Sequence, residues 1–505
     1  MIRIATTENG TVRGLPGNDN RITVFKGIPF AAPPVGENRW RAPQPAENWE
    51  GIRDAYTFAP ISVQDTPGLG TDIYCREWHV DPEIPMGEDC LYLNVWTPAK
   101  KTDEKLPVLV WFFGGGFQWG YTPEMEFNGE RIASRGVILV TVNYRLGVLG
   151  FLSHPELTAS QPEAPANFGS LDQQAGLKWV SRNIEAFGGD PEKITIAGQS
   201  AGGASTLAQL TCKENFGIIK GAMILSGMIR NIYNPDPFIT PRHISETGKN
   251  GEAFFDFIGV KTLAEARALD AFYIRDKYAE FAQTHPRFAI AIDDAFCIDD
   301  PIKLLARGHF ADVPVMAGNT VDEFPGFVPV GSEEELKAKA EELFGEDADV
   351  FLAFEEAKVK TDMGYAPLNI IESGIKATFL EKMQRNDKDC FYYRFNPDIP
   401  GWDNPGSFHS VDLWFFFETL GMCWRPFKGR HFDLARLMCN YWTNFVKTGN
   451  PNGNDADGEA MPEWKPYTDG ARNEMQFLSE GAVPGMESDD FMAFMIKQVQ
   501  KDLQK

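Results

Sequence analysis

Histidine and cysteine are both scarce in this chain, at seven each among 505 residues. The histidines (79, 154, 243, 285, 309, 409 and 431) form no close pair, and neither a CxxC nor an HExxH spacing occurs, so no metal is expected. Seven cysteines in so long a chain do not make a disulfide scaffold, and the odd number leaves at least one thiol free in a monomer. No run of eighteen apolar residues is present, and the start, Met1-Ile-Arg-Ile-Ala-Thr-Thr-Glu, lacks the apolar core of an export signal. The chain as given is therefore expected to be unexported and cytoplasmic. Basic residues are the minority, 48 Lys and Arg against 71 Asp and Glu. The resulting net charge of -23 repels phosphate backbones and anionic lipid, which argues against nucleic-acid and membrane partners. Linkers, low-complexity tracts and internal repeats are missing as well, so 1–505 reads as a single domain.

What the chain does have, from about Leu106 onward, is one repeating theme. A short β-branched or aromatic run bounded by turn residues is followed by a stretch of helical periodicity, the rhythm of an α/β protein with a mostly parallel sheet. Val108–Phe113, Val137–Val142, Ile194–Ala197, Ala222–Leu225, Val313–Ala317 and Cys390–Phe395 are apolar without alternation, as strands covered on both faces are. Leu171–Phe187 sets Ala175, Leu177, Val180, Ile184 and Phe187 near one helical face before Gly188-Gly189 stops it. The first hundred residues, broken by Pro29, Pro33, Pro34, Pro43 and Pro45, read as an irregular antiparallel start.

Directly after the Ile194 strand stands Gly198-Gln199-Ser200-Ala201-Gly202-Gly203, then a segment with helical character. Strand, GxSxG and helix in that order make a tight turn that lifts a serine hydroxyl above the sheet, with glycine at the two places where no side chain fits. The helix N-terminus then aims its amides at the point where an oxyanion would form. Ser200 is accordingly the candidate nucleophile. Upstream, the Val108 strand runs into Gly114-Gly115-Gly116-Phe117, whose bare amides could face a substrate carbonyl; Gly115, Gly116 and Ala201 are the candidate oxyanion donors. No GxGxxG or GxxxxGK[ST] spacing follows, so no nucleotide cofactor is expected, nor any other.

A serine needs an imidazole to accept its proton and a carboxylate to fix that imidazole's tautomer. Of the histidines after Ser200, only His409 lies in a loop beyond a late strand, within Pro405-Gly-Ser-Phe-His-Ser-Val-Asp412; His431 reads as the start of a surface helix. For the acid, the Val313 strand runs into Gly318-Asn-Thr-Val-Asp322-Glu323-Phe324, a carboxylate pair at a strand's C-terminal edge, where sites in parallel sheets gather. Position alone does not separate Asp322 from Glu323.

Phe25-Lys-Gly-Ile-Pro-Phe-Ala-Ala-Pro-Pro-Val-Gly, Glu88-Asp-Cys-Leu-Tyr-Leu-Asn-Val, Asn143-Tyr-Arg-Leu-Gly-Val-Leu-Gly-Phe-Leu and Asn167-Phe-Gly-Ser-Leu-Asp-Gln-Gln, taken in order, resemble signatures of the type-B carboxylesterase and cholinesterase family. The resemblance runs over most of the chain. It implies the α/β-hydrolase fold and hydrolysis of a small-molecule carboxylic ester, and it selects Glu323 over Asp322. It also implies ion pairs of Arg39 with Glu88 and Arg145 with Asp190, a disulfide from Cys75 to Cys90, and a polar network of Gln199, Ser226 and Asp412 around the histidine.

Two departures from that family matter. Gln199 replaces the usual glutamate before the serine, removing a negative charge beside the nucleophile, and Trp78 lies out of register with the family's choline-binding tryptophan. A general esterase for small or aromatic esters is therefore expected, not a cholinesterase. The charged Cys75–Cys90 stretch, with Arg76, Glu77, Asp81, Glu83, Glu88 and Asp89, is unlike an apolar lipase lid. Trp119, Phe324, Phe327 and Trp414-Phe415-Phe416-Phe417 are candidates for a substrate pocket. The rival readings are an amide or carbamate hydrolase on the same residues and a non-catalytic interaction module on the same fold.

Overall fold

The uninterrupted apolar segments become the middle of one mixed sheet. The computed structural model describes residues 1–235, 240–386, 388–455, 457–487 and 489–505. Eleven strands join in that sheet: β1 (Leu15–Pro16), β2 (Thr23–Pro29), β3 (Tyr92–Thr97), β4 (Leu106–Phe112), β5 (Ile138–Val142), β6 (Gly189–Gln199), β7 (Ile219–Leu225), β8 (Val315–Thr320), β9 (Cys390–Asn396), β10 (Asn473–Leu478) and β11 (Gly481–Met486). Their order is β11-β10-β9-β8-β7-β6-β4-β5-β3-β2-β1. Pairing is parallel from β5 across to β10. The pairs at both margins are antiparallel, including those formed by the proline-rich N-terminal region.

Alternation along a strand explains why both faces are covered. Val108, Val110 and Phe112 of β4 point to one side, into a core with Leu177 and Val180 of helix α1 (Phe168–Asn183), Leu207 of α2 (Ala201–Thr211) and Ile371 and Ile375 of α3 (Ile370–Met383). Leu109 and Trp111 point the other way, against Met438, Tyr441 and Trp442 of α4 (Gly429–Thr448). Every one of these side chains is buried. Truncating one of the larger ones, such as Trp111, is worth about 3–5 kcal/mol of stability.

The sequence-predicted strands form with small shifts at their ends. The helix expected over Leu171–Phe187 divides into α1 and a 3-10 turn at Ile184–Phe187, closed by Gly188 at φ +84°. Strands β10 and β11 had no apolar run to announce them, because Glu474 and Gln476 alternate with Met475 and Phe477. His431 does start a helix, yet its ring is buried rather than on the surface, with Nδ1 accepting from the Lys428 N–H and Nε2 donating to the Asp398 carbonyl.

Three expectations carried by the resemblance meet different fates. Arg39 holds Glu88 through two hydrogen bonds, at 2.6 and 2.7 Å, as expected. Arg145 does not reach Asp190. It is clamped by Asp172 of α1, which takes Nε at 2.8 Å, Nη2 at 2.7 Å and the Arg145 backbone N–H at 3.0 Å, while Asp190 faces Lys193. A carboxylate one turn into α1 fits the planar guanidinium through Nε and Nη2, while the buried Nη1 has no hydrogen-bond partner among the described residues. Cys75 and Cys90 are not bonded: both thiols are free, and Cys75 Sγ turns to the Asp72 carboxylate at 3.4 Å.

Candidate active site

Ser200 stands between β6 and α2 at φ +57°, ψ -125°, a conformation costly for a residue with a side chain. Its neighbours allow no alternative turn. A Cβ on Gly202 would sit 2.0 Å from the Phe112 carbonyl oxygen, and one on Gly198 would sit 2.2 Å from the Gly202 carbonyl oxygen. Strand, turn and helix thus touch backbone to backbone, and only glycine permits it. The Ser200 N–H is tied to the Leu225 carbonyl of β7 at 2.9 Å, fixing the elbow to the sheet.

The loop after β4 lies against this elbow. A Cβ on Gly114 would stand 3.1 Å from Ser200 Cβ. Its carbonyls are used internally: Gly115 O accepts from the Gln118 and Trp119 amides, and Phe113 O from the Tyr144 hydroxyl at 2.7 Å. Gly115 at φ +101° and Gly116 at φ +60° then turn the peptide planes, and their N–H groups donate to no acceptor among the described residues. Ala201 N–H, first in α2, has no intrahelical partner by geometry. Gly115, Gly116, Ser200 and Ala201 all line one cavity of about 720 Å³.

His409 enters that cavity from the loop after β9. Its Nδ1 is hydrogen-bonded to Glu323 Oε2, so the ring is fixed with Nε2 toward the elbow, 3.3 Å from Gln199 Nε2. Glu323 is buried, and its other oxygen accepts from Ser226 Oγ at 2.8 Å and from the Thr320 N–H at 2.9 Å. Asp322 takes a different part: its carboxylate accepts from the Ser407 N–H at 2.9 Å and bridges the histidine loop without approaching the ring. The ambiguity left by the sequence is thereby resolved in space, since adjacent residues at a strand end point opposite ways.

Asp412, three residues past His409, is buried with one oxygen on the Tyr393 hydroxyl at 3.0 Å and the other without a partner. Burial, then the Glu323 carboxylate, push its pKa up to about 7, against the pull of Tyr393 and His409. Gln199 and Ser226 each touch the His409–Glu323 pair directly, whereas Asp412 acts on it across a short gap.

Of the aromatic candidates, Trp119 and Phe324 do line the cavity, and the Phe324 ring meets His409 edge-on at 4.5 Å. Trp414, Phe415, Phe416 and Phe417 do not. They are fully buried beneath the sheet, with Phe416 stacked on Trp442 at 5.3 Å, because the run starts a short helix that turns inward. Phe327 lies on a separate three-stranded sheet and is not part of the cavity wall. Trp78, although out of register in sequence, is in the wall. Its indole is 5 % exposed and flanked by Tyr74 at 5.7 Å and Trp414 at 6.0 Å. Glu77 beside it forms a buried pair with Arg425 at 2.6 Å, which ties this end of the Cys75–Cys90 segment to the body.

The chain matches the profile of the carboxylesterase family over residues 2–367 and 369–494. It is 32 % identical over 498 residues to the para-nitrobenzyl esterase of Bacillus subtilis (strain 168), covering 95 % of each chain. It is 30 % identical to the cholinesterase of Mus musculus, over 91 % of this chain and 81 % of that protein. Among solved structures, one titled PNB esterase superposes with a TM-score of 0.77 at 28 % identity, over 98 % of this chain and all of that one (100 %). A Geobacillus stearothermophilus carboxylesterase superposes at 0.75, also at 28 % identity, covering 98 % of this chain and 100 % of that one. The chain is therefore a member of the carboxylesterase family, a carboxylic-ester hydrolase on the α/β-hydrolase fold.

Proposed function

We propose that Ser200, His409 and Glu323 form the catalytic triad of a general serine carboxylesterase acting on small or aromatic esters rather than choline esters. The single observation that supports this reading is the Glu323-bound imidazole of His409 reaching the elbow at Gln199, next to Ser200, inside one cavity whose wall offers unpaired backbone amides. With Nδ1 carrying the proton shared with Glu323, Nε2 is the basic nitrogen, which accepts from the Gln199 amide at 3.3 Å before the reaction begins. It takes the Ser200 proton as Oγ attacks the carbonyl carbon, and the Gly115, Gly116 and Ala201 amides hold the oxyanion. Collapse expels the alcohol, protonated by His409, and leaves an acyl-serine. A water deprotonated by His409 then releases the acid. No cofactor or metal has a part in this sequence, and one domain over 1–505 suffices for it.

The preference against choline esters rests on charge and shape. Gln199 puts a neutral amide where a carboxylate would attract a cation, and Trp78 is too enclosed by Tyr74 and Trp414 to offer its face to an ammonium group. Ser200→Ala should lower 4-nitrophenyl acetate turnover roughly a millionfold, as serine-triad knockouts do. Retained activity would refute the triad. Wild-type protein should show a burst of nitrophenol equal to the enzyme concentration where deacylation limits. Butyrylcholine and its uncharged analogue 3,3-dimethylbutyl butyrate should have similar kcat/KM; a hundredfold advantage for the cation would overturn the substrate class.

A further inference from the structure

A second cavity of about 160 Å³ adjoins the catalytic one and belongs to no part of the chemistry described so far. The two share Gln64, Asp65, Trp119 and Arg287 in their walls, with the Trp119 side chain common to both. Beyond Trp119 the small cavity is bounded by Val63, Leu146, Val148, Leu149 and Tyr278. We propose that it is a second substrate subsite, taking the apolar far end of an elongated ester arm, and that Trp119 determines how much of it a substrate reaches. The inference rests on the esterase reading of Ser200.

The chemistry of the lining favours an apolar occupant. Gln64 is saturated, its Nε2 donating to the Ser62 and Gly120 carbonyls, both at 3.0 Å, and its Oε1 accepting from the Gly120 N–H at 2.9 Å. Gln118 donates to the Phe288 carbonyl at 2.8 Å and accepts from the Tyr278 hydroxyl at 2.9 Å, while that hydroxyl accepts from the Phe288 N–H. Arg275 is turned to Asp276 at 2.6 Å. The buried polar groups of the wall, Gln64, Gln118 and Tyr278, thus have their partners engaged, and a polar ligand group reaching them would lose its water without replacement, whereas Gln283 and Arg287 are exposed and sit where the cavity meets solvent; the buried part favours hydrocarbon.

Trp119 is placed to control access. Its backbone belongs to the turn that carries the oxyanion-hole glycines, with Trp119 N–H on the Gly115 carbonyl at 3.0 Å, so the wall begins immediately beside the reacting carbonyl. Its ring is half-buried and held by two weak ties, Nε1 donating to Asp65 Oδ2 at 2.9 Å and the exposed Arg287 guanidinium over its face at 4.7 Å. Among the described side-chain contacts, a turn of the ring breaks these two ties, and the ring lies between the two cavities.

The test is a chain-length series with two arms: 4-nitrophenyl esters from acetate to dodecanoate, and alkyl butyrates from methyl to dodecyl, on wild type, Trp119→Ala and Ala282→Phe. Ala282 lies in the far wall of the small cavity, and a phenyl ring there fills it. Each methylene that enters should lower KM about fourfold. The ratio of kcat/KM for the longest productive ester to that for the shortest should rise about tenfold in Trp119→Ala and fall about tenfold in Ala282→Phe, in one arm of the series only. That arm identifies whether the acyl or the alcohol portion occupies the subsite. A ratio unmoved in both variants, while acetate is still turned over, overturns the subsite alone. Loss of acetate turnover in wild type would instead refute the esterase reading beneath it.

Discussion

Ser226 Oγ donates a 2.8 Å hydrogen bond to Glu323 through the carboxylate oxygen that His409 does not use. The serine sits at the end of β7 at φ +47°, so the neighbouring strand spends a strained residue on holding the acid in place. Ser226→Ala leaves that oxygen with the Thr320 amide alone. Because a hydrogen bond to a buried charge is worth about 1.5–3 kcal/mol, kcat/KM should fall roughly ten- to a hundredfold with KM nearly constant, in steady-state assays at pH 8. An unchanged kcat would show that Glu323 needs no such support.

Asp412 makes stability depend on pH. Its folded pKa, raised to about 7, lies above that of an unfolded aspartate, so the native state binds the extra proton. Stability is then unaffected below about pH 4, falls as pH rises from about 4 to 7, and levels off above, by an amount on the order of a few kcal/mol. Asp412→Asn removes the group while keeping an acceptor for Tyr393. Its melting temperature relative to wild type should climb between about pH 4 and pH 7 and then level off; a constant difference would count against the raised carboxyl.

Asp172 and Asp190 provide a direct comparison. Arg145 and Asp172 are both buried, and removing one partner of such a pair costs about 3–5 kcal/mol. Asp172→Asn should therefore lower the denaturation midpoint strongly. Asp190 meets an exposed lysine and the Glu192 N–H, an acceptor role that asparagine keeps, and Asp190→Asn should change stability by less than about 1 kcal/mol. The opposite ranking would restore the pairing that the resemblance implies.

Gly202 tests the elbow. A methyl group placed 2.0 Å from the Phe112 oxygen forces β4 and α2 apart. Gly202→Ala should abolish turnover and lower stability by about 1–3 kcal/mol or more, read by thermal melting alongside the nitrophenyl assay.

Thiol counting tests the cysteines. Unfolded in urea without reductant, the protein should release seven equivalents with Ellman's reagent, and five would mean one disulfide. In the native state reaction should be slow, since burial raises the Cys75 thiol and pushes Cys90 up to about 12.

How far the sequence reached depended on whether the signal was local. Gly198 to Gly203 announced the elbow because its strain falls on consecutive residues, and the β4 to β9 strands announced themselves because burial on both faces demands unbroken apolar runs. β10 escaped because Glu474 and Arg394 share a buried ionic cluster with Lys376, which lets charge sit on a covered strand. Trp414 to Phe417 was ambiguous for the reverse reason, since aromatic residues line pockets and fill cores alike.

By itself, then, the sequence determined the fold class and the strained glycine-flanked elbow at Gly198 to Gly203, both of which follow from short segments with steric requirements of their own. The resemblance favours Glu323, but only the tertiary structure decided that Asp322 turns to the Ser407 amide, that Arg145 pairs with Asp172, and that Trp78 lines the cavity while Trp414 is buried. Those outcomes depend on the directions of side chains brought together from distant parts of the chain, and direction is set by packing, which no single segment contains.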